Sequence, residues 1–285
     1  MRRAARIVPL YYTVTLLVVF VMVVTPTMLV TGKFSLSQTL GSFFFLGLPD
    51  TANLPYPVVR VGWTLNLEML FYAIFAISLF FARRWRIVFV TTVFLAIIII
   101  GSKVAPQNLW TDIYMSSALL EFSYGMMIAE AYRKGYLNKI GPWVAGGMLA
   151  AGLIALTFTA PNAPMRGILV GPAASVVFLG TLCLEKFQKN PSKLFKLLGD
   201  ASYSVYLTHL ISLSASFQIW RALHLPLTAN ALLIFMPIAV LLSLIAGLGI
   251  YRLIEVPLTE YFQQVLKNKT QNRSTHTVPV SQSSK

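Results

Sequence analysis

Glu68, Glu121 and His209 are ionisable residues that lie well inside long apolar runs of the chain. An ionised side chain at the centre of a membrane helix costs about 2.5–3.5 kcal/mol on insertion scales, so a residue kept there meets water, a substrate or a partner group. Thr64, Glu68 and Tyr72 recur at i, i+4 and i+8, which puts them on one helix face just after Trp63 and Asn66. That stripe fits the wall of a cavity; the alternative is a structural partner for Glu68, with Trp63 in an interfacial aromatic belt. Glu121 has Ser117, Tyr124 and Gly125 on its face, and both a bond between helices and a substrate role stay open for it. His209 shares a second stripe with Ser202, Tyr206 and Ser216, about 12 Å along its run at 1.5 Å per residue. An imidazole at that depth can trade protons near neutral pH, or it can serve as a satisfied donor between helices. Arg3 and Arg6 share a face ahead of Pro9, and two guanidinium forks can clamp a phosphate or pyrophosphate. The alternative for that pair is an anchor on the basic side of a membrane. Glu255 follows Arg252 by three residues just before Pro257, a spacing that suits a charge pair at a helix end.

The elements that hold these residues follow from composition. The 285 residues are 56% hydrophobic and only 11% charged, against about 45–50% and 25% in soluble domains. A water-soluble single core is excluded. The sequence predicts an all-α, polytopic integral membrane protein of about eight helices, because a hydrocarbon core about 30 Å thick needs about 20 apolar residues per crossing. The runs are Ile7 to Val30, Trp63 to Phe81, Ile87 to Ser102, Ile113 to Tyr132, Pro142 to Ala160, Ile168 to Glu185, Ala201 to Arg221 and Ala229 to Ile254. Residues 1–266 form this membrane domain, and the polar tail 267–285 is expected to be disordered. Between the first two runs, Phe43, Phe44, Phe45 and Leu46 suggest a short interfacial or re-entrant helix that acts as a lid.

The net charge of +14 would suggest nucleic acid in a soluble protein, but its placement does not. With the first residue inside, 18 of the 23 Lys and Arg residues fall in inner segments, so both termini are expected in the cytoplasm. The partner is membrane lipid, not nucleic acid. The first run is too long for a signal-peptide core and has no small-residue cleavage site. A single cysteine, Cys183, excludes a disulfide within the chain and a cysteine-based metal site, and no metal is expected.

Four segments, taken in order, resemble the membrane-bound acyltransferase-3 family of bacterial polysaccharide O-acyltransferases. They are Arg2 to Tyr12, Val61 to Tyr72 with its Trp-Thr-Leu-Asn-Leu-Glu wording, Leu198 to His209, and Tyr251 to Pro257. The resemblance implies transfer of an acyl group, commonly acetyl from cytoplasmic acetyl-CoA, to a hydroxyl of a lipid-linked or surface polysaccharide at the inner membrane. On it, acyl-CoA is a donor substrate and no cofactor stays bound. It also implies that Arg3 and Arg6 face the CoA phosphates, that Asn66 and Glu68 line the reaction chamber with Trp63 and Glu121 near the substrate, and that Tyr203, Tyr206 and His209 shape the acyl or acceptor pocket. The family usually has ten helices and an expected catalytic His on the first. The chain begins at the Arg-rich segment, so truncation is the expectation, with His209 as substitute base or an inactive protein as alternatives. A transporter or flippase of a lipid-linked saccharide, and a non-catalytic partner in polysaccharide export, are the competing classes.

Overall fold

Hydrocarbon offers no water to backbone N–H and C=O groups, so long apolar runs satisfy them internally as helices. The computed structural model describes residues 2–24, 34–104, 109–159, 165–188, 192–226 and 228–275, and the side chains of these except 2–5, 104 and 266–275. Among the described residues there is no strand. The helices are α1 (Arg2–Val24), α2 (Leu36–Phe43), α3 (Trp63–Ser78), α4 (Arg83–Val104), α5 (Leu109–Tyr114), α6 (Leu119–Arg133), α7 (Pro142–Thr157), α8 (Arg166–Glu185), α9 (Lys193–Asp200), α10 (Ser202–Ala222), α11 (Ala229–Ile250) and α12 (Val256–Thr275).

Among the described residues, five segments are long and apolar enough to cross a membrane: Arg6–Val24, Arg60–Ser78, Arg83–Lys103, Arg166–Glu185 and Ala229–Val265. The other three expected runs differ for local reasons. The run from Ile113 breaks at residues 115–118, between α5 and α6, where the Ser116 hydroxyl donates to Ile113 O at 3.0 Å. Serines that bond the nearby backbone compete with the helix in this way. α7 spans only 16 residues, and α10 has 21 but carries Ser, Thr and His along its length. Residues 25–30 of the first run lie outside the described residues. At the other end, α12 carries the helix to Thr275, into the stretch expected to be disordered; residues 276–285 lie outside the described residues.

The helices form two compact units, one from Met1–Phe34 with Lys193–Lys285 and one from Ser35–Ser192. In the second, Leu67, Ile74, Val90, Phe94 and Leu119 make a buried cluster, with Phe71 stacked on Phe122 at 4.8 Å. α7 and α8 meet through small residues: a Cβ on Gly180 would lie 2.7 Å from Leu149 N, and one on Gly152 2.7 Å from Val177 Cγ2. Lipid tails give no hydrophobic drive between helices, so such close backbone approach supplies the attraction. The start of α8 packs on the 115–118 break, where Gly167 N–H donates to Ser117 Oγ at 2.9 Å. α2 begins at Ser35, whose hydroxyl accepts from Gln38 N–H, and it buries Gln38, Gly41 and Ser42. Val58 N–H donates to Ser42 Oγ at 2.8 Å, so this short helix is tied into its own unit.

In the first unit, α10 and α11 approach closely at Gly247, where a Cβ would lie 2.5 Å from Val205 Cγ2. α11 continues into α12 through a π-helical turn, Tyr251–Glu255. Large apolar side chains stay exposed on both units, among them Phe20, Trp143, Ile234 and Leu253. Apolar faces this extensive are stable against lipid and not against water.

Packing at the start of α8 leaves no room for a side chain, since a Cβ on Gly167 would lie 1.7 Å from Ser117 O. Gly167→Leu is expected to destabilise the protein by about 3 kcal/mol or more, whereas Gly147→Ala, which meets nothing within 4 Å, should leave it unchanged. Thermal unfolding of the purified variants in detergent checks this.

Candidate functional site

Helix α3 positions the first group of candidates. Trp63 opens the helix and packs, half-buried, against the cluster of Leu67, Phe94 and Leu119, so it is part of the packing of its unit. Glu68 is half-buried one turn further on, and the Tyr72 hydroxyl donates to its Oε1 from the next turn. The stripe read from the sequence is therefore real at that pair. Thr64, in contrast, turns its hydroxyl back to Val61 O at 3.2 Å. A carboxylate with one oxygen held by a phenol keeps its second oxygen for proton exchange.

Asn66 is buried at 4% exposure. Its amide donates to Tyr114 OH at 2.9 Å, and Tyr114 OH donates to Pro55 O at 3.0 Å. Pro55 O has no hydrogen to give, so the one phenolic hydrogen goes to it and the tyrosine can only accept from Asn66. That fixes the amide orientation and leaves Asn66 Oδ1 without a partner among the described residues. Two residues along a helix turn through about 200°, so Asn66 and Glu68 face opposite sides of α3. Asn66 is turned toward Tyr114, and Glu68 toward Tyr72.

Glu121 finds a partner on another helix: Arg166 Nε, at the start of α8, donates to its Oε1 at 3.2 Å. Ser117, expected on the Glu121 face, lies in the break before α6 and belongs to the Gly167 contact instead.

The other unit holds the remaining candidates, and Arg6 among them meets a buried carboxylate. Glu255, in the π-helical turn, is only 2% exposed. Arg6 Nε donates to its Oε1 at 2.7 Å and Ser204 Oγ to its Oε2 at 2.5 Å. Arg6 Nη2 also donates to Asp200 O at the end of α9. The pairing expected between Arg252 and Glu255 is replaced by this one, in which Arg6 comes from 249 residues away. The Arg6 guanidinium is thereby half committed before any phosphate is considered. Arg3 lies in α1, and its side chain is outside the described residues.

On α10, the Tyr203 hydroxyl donates to Ile7 O at 2.9 Å and joins that helix to α1. His209 Nδ1 lies 2.6 Å from Tyr206 O, and the two rings are 5.9 Å apart. A carbonyl oxygen only accepts, so Nδ1 carries the hydrogen and Nε2 is the nitrogen through which His209 can exchange a proton. Trp63, Asn66, Glu68 and Glu121 thus belong to one unit, and Arg6, Tyr203, Tyr206 and His209 to the other. Sequence reasoning missed Tyr114, Ser204 and Arg166 as partners. Nothing in their spacing signals them, since each bond joins segments far apart in the chain. Among the described residues, no three His, Cys, Asp or Glu side chains cluster to hold a metal.

Comparison with known proteins adds a family. A family model described as an acyltransferase domain matches residues 1–252. The exopolysaccharide production protein ExoZ of Rhizobium meliloti (strain 1021) is 35% identical over 267 residues, covering 90% of this chain and 79% of that protein. No solved structure matches.

The Arg6–Glu255 pair makes a specific prediction. Arg6→Ala leaves a buried carboxylate unpaired, and Arg6 is itself 41% exposed, so a loss of about 1–3 kcal/mol is expected rather than the full penalty of a wholly buried pair. Glu255→Gln should lose a similar amount. In thermal unfolding, the double variant should lose less than the two single losses added, by about 1 kcal/mol or more; strict additivity would show that the two groups do not interact.

Proposed function

Because the chain belongs to the acyltransferase-domain family, we propose that it transfers an acyl group, acetyl from cytoplasmic acetyl-CoA, to a hydroxyl of a cell-surface or lipid-linked polysaccharide. The observation that carries the reading is Glu68: a carboxylate on a helix long and apolar enough to cross a membrane, steadied by Tyr72 and still half accessible. A membrane helix retains such a group where it borders water or substrate.

In the reaction, the sugar oxygen bonds to the thioester carbonyl carbon and the carbon–sulfur bond breaks. The hydroxyl proton passes to a base, and the departing thiolate takes up a proton. Two groups have the chemistry of that base: Glu68 on α3 and, through Nε2, His209 on α10. The developing oxyanion needs hydrogen-bond donors, and in the unit that carries His209 the Tyr206 hydroxyl is one of suitable type. Trp63 and Glu121 contribute to the acceptor side as parts of the unit that carries Glu68. Asn66, facing away from Glu68, acts by fixing α3 against Tyr114.

Arg6 is charge-matched by Glu255, so its part is mainly to hold α1, α9 and α10 together at one end. The CoA phosphates then fall to Arg3 with the remaining N–H donors of Arg6. Tyr203 shapes the same end by its bond to α1. The membrane in this reading is the bacterial inner membrane, with both chain ends in the cytoplasm and residues 1–266 as the membrane domain. The uneven distribution of Lys and Arg supports that orientation.

Membranes containing the protein are expected to move labelled acetyl from acetyl-CoA to the de-O-acetylated polysaccharide of the same bacterium. Glu68→Gln and His209→Ala, measured separately, should show which group is the base: its loss lowers kcat by about 10²–10⁴-fold with KM for acetyl-CoA little changed. Transfer that survives both substitutions at full rate would refute these assignments.

A further inference from the structure

Helix α9, Lys193–Asp200, is sharply two-sided. At 100° per residue, Leu194, Leu198 and Phe195 cover one side, and Lys193, Lys196 and Asp200 the other. None of its residues is buried: Leu194 is 59% exposed and Phe195 69%. A helix of eight residues cannot cross a bilayer. Leu194 and Phe195 on its apolar side are nevertheless exposed, with no element of its own unit covering them among the described residues, and it ends one residue before α10 begins. Membrane surfaces solve this combination. A short helix with apolar residues on one face and lysines on the other lies in the plane of the interface, its apolar face at the acyl boundary and its lysines among the headgroups.

We infer that α9 is an interfacial helix that binds anionic lipid headgroups through Lys193 and Lys196 while Leu194, Phe195 and Leu198 enter the lipid. Charge selects the occupant. The two lysines meet one acidic side chain on the same face, Asp200, and attraction to an anionic leaflet adds to burial of the apolar side. The placement also bears on the Arg6 network, because the backbone carbonyl of Asp200, the last residue of α9, accepts from Arg6 Nη2. Lipid that seats α9 therefore steadies one of the two groups that hold the Arg6 guanidinium. The inference concerns a lipid surface and does not depend on which group transfer the protein performs.

A probe at position 195 tests it in the full chain. Cys183→Ser removes the one native thiol, Phe195→Cys is labelled with bimane, and the protein is placed in phosphatidylcholine vesicles with 30 mol% phosphatidylglycerol. Nitroxide-bearing phosphatidylglycerol should quench the probe more strongly than nitroxide-bearing phosphatidylcholine at equal mole fraction. Lys193→Gln with Lys196→Gln should remove that preference, by about fivefold for each lysine, while quenching by the neutral lipid persists. A probe quenched by neither lipid would overturn the inference, as would equal quenching by both in the protein with its lysines intact. Should Cys183→Ser fail to fold, Phe195→Trp in the native background, read as the difference from the unsubstituted protein, gives the same comparison with brominated lipids.

Discussion

A polar group removed from water must find a partner, and in this chain that constraint decides where helices meet. The Glu255 carboxylate is the clearest case. Burying an ionised carboxylate is costly unless opposite charge and hydrogen bonds surround it, and here one oxygen takes Arg6 and the other Ser204. Through these bonds the π-helical turn is tied to α1 and α10, and through Asp200 O to α9. The turn itself has a reason in the same place: a π-helical register widens the backbone by one residue and presents Glu255 inward, where Arg6 lies.

The second unit obeys the same rule with weaker groups. Tyr114 OH has one hydrogen, given to Pro55 O, and it accepts from Asn66, so a loop, α5 and α3 are joined through one hydroxyl. The ring of Tyr114 also fills the space beside Gly47, where a Cβ would lie 2.1 Å away. Glu121 and Arg166 link α6 to α8, and the absence of a side chain at Gly167 lets α8 rest on the break before α6. These contacts leave Glu68 as the half-accessible carboxylate of α3, set apart from the packed Asn66 side.

Much of the fold was legible because lipid makes the code simple. Apolar runs of about 20 residues located α1, α3, α4, α8 and α11, and the i, i+4 spacing put Glu68 and Tyr72 on one face, where the two side chains bond. The break at 115–118 was not legible, since the run around it stays apolar and two serines are a weak signal. α12 extends past the expected boundary because a polar composition lowers burial without forbidding helix. The site was legible in its residue types and not in its pairings. Arg252 was the near partner of Glu255 in sequence and Arg6 the partner in space, and no periodicity reports a bond across 249 residues. The resemblance placed Asn66 and Glu68 in the lining of one chamber without assigning their faces, and helical rotation sets the two on opposite sides of α3. The motif order carried the family correctly over the chain, as the match to residues 1–252 shows.

The central claim is that the protein makes an ester, and the product is where it is tested. Inverted membrane vesicles carrying the protein would be given acetyl-CoA labelled with carbon-13 at the acetyl carbonyl, and the recovered polysaccharide read by NMR. The account predicts a labelled ester carbonyl on the sugar that appears only with the protein present and is removed by mild alkali. Polysaccharide that crosses the membrane unlabelled, with no ester formed while the protein is present and folded, would contradict it.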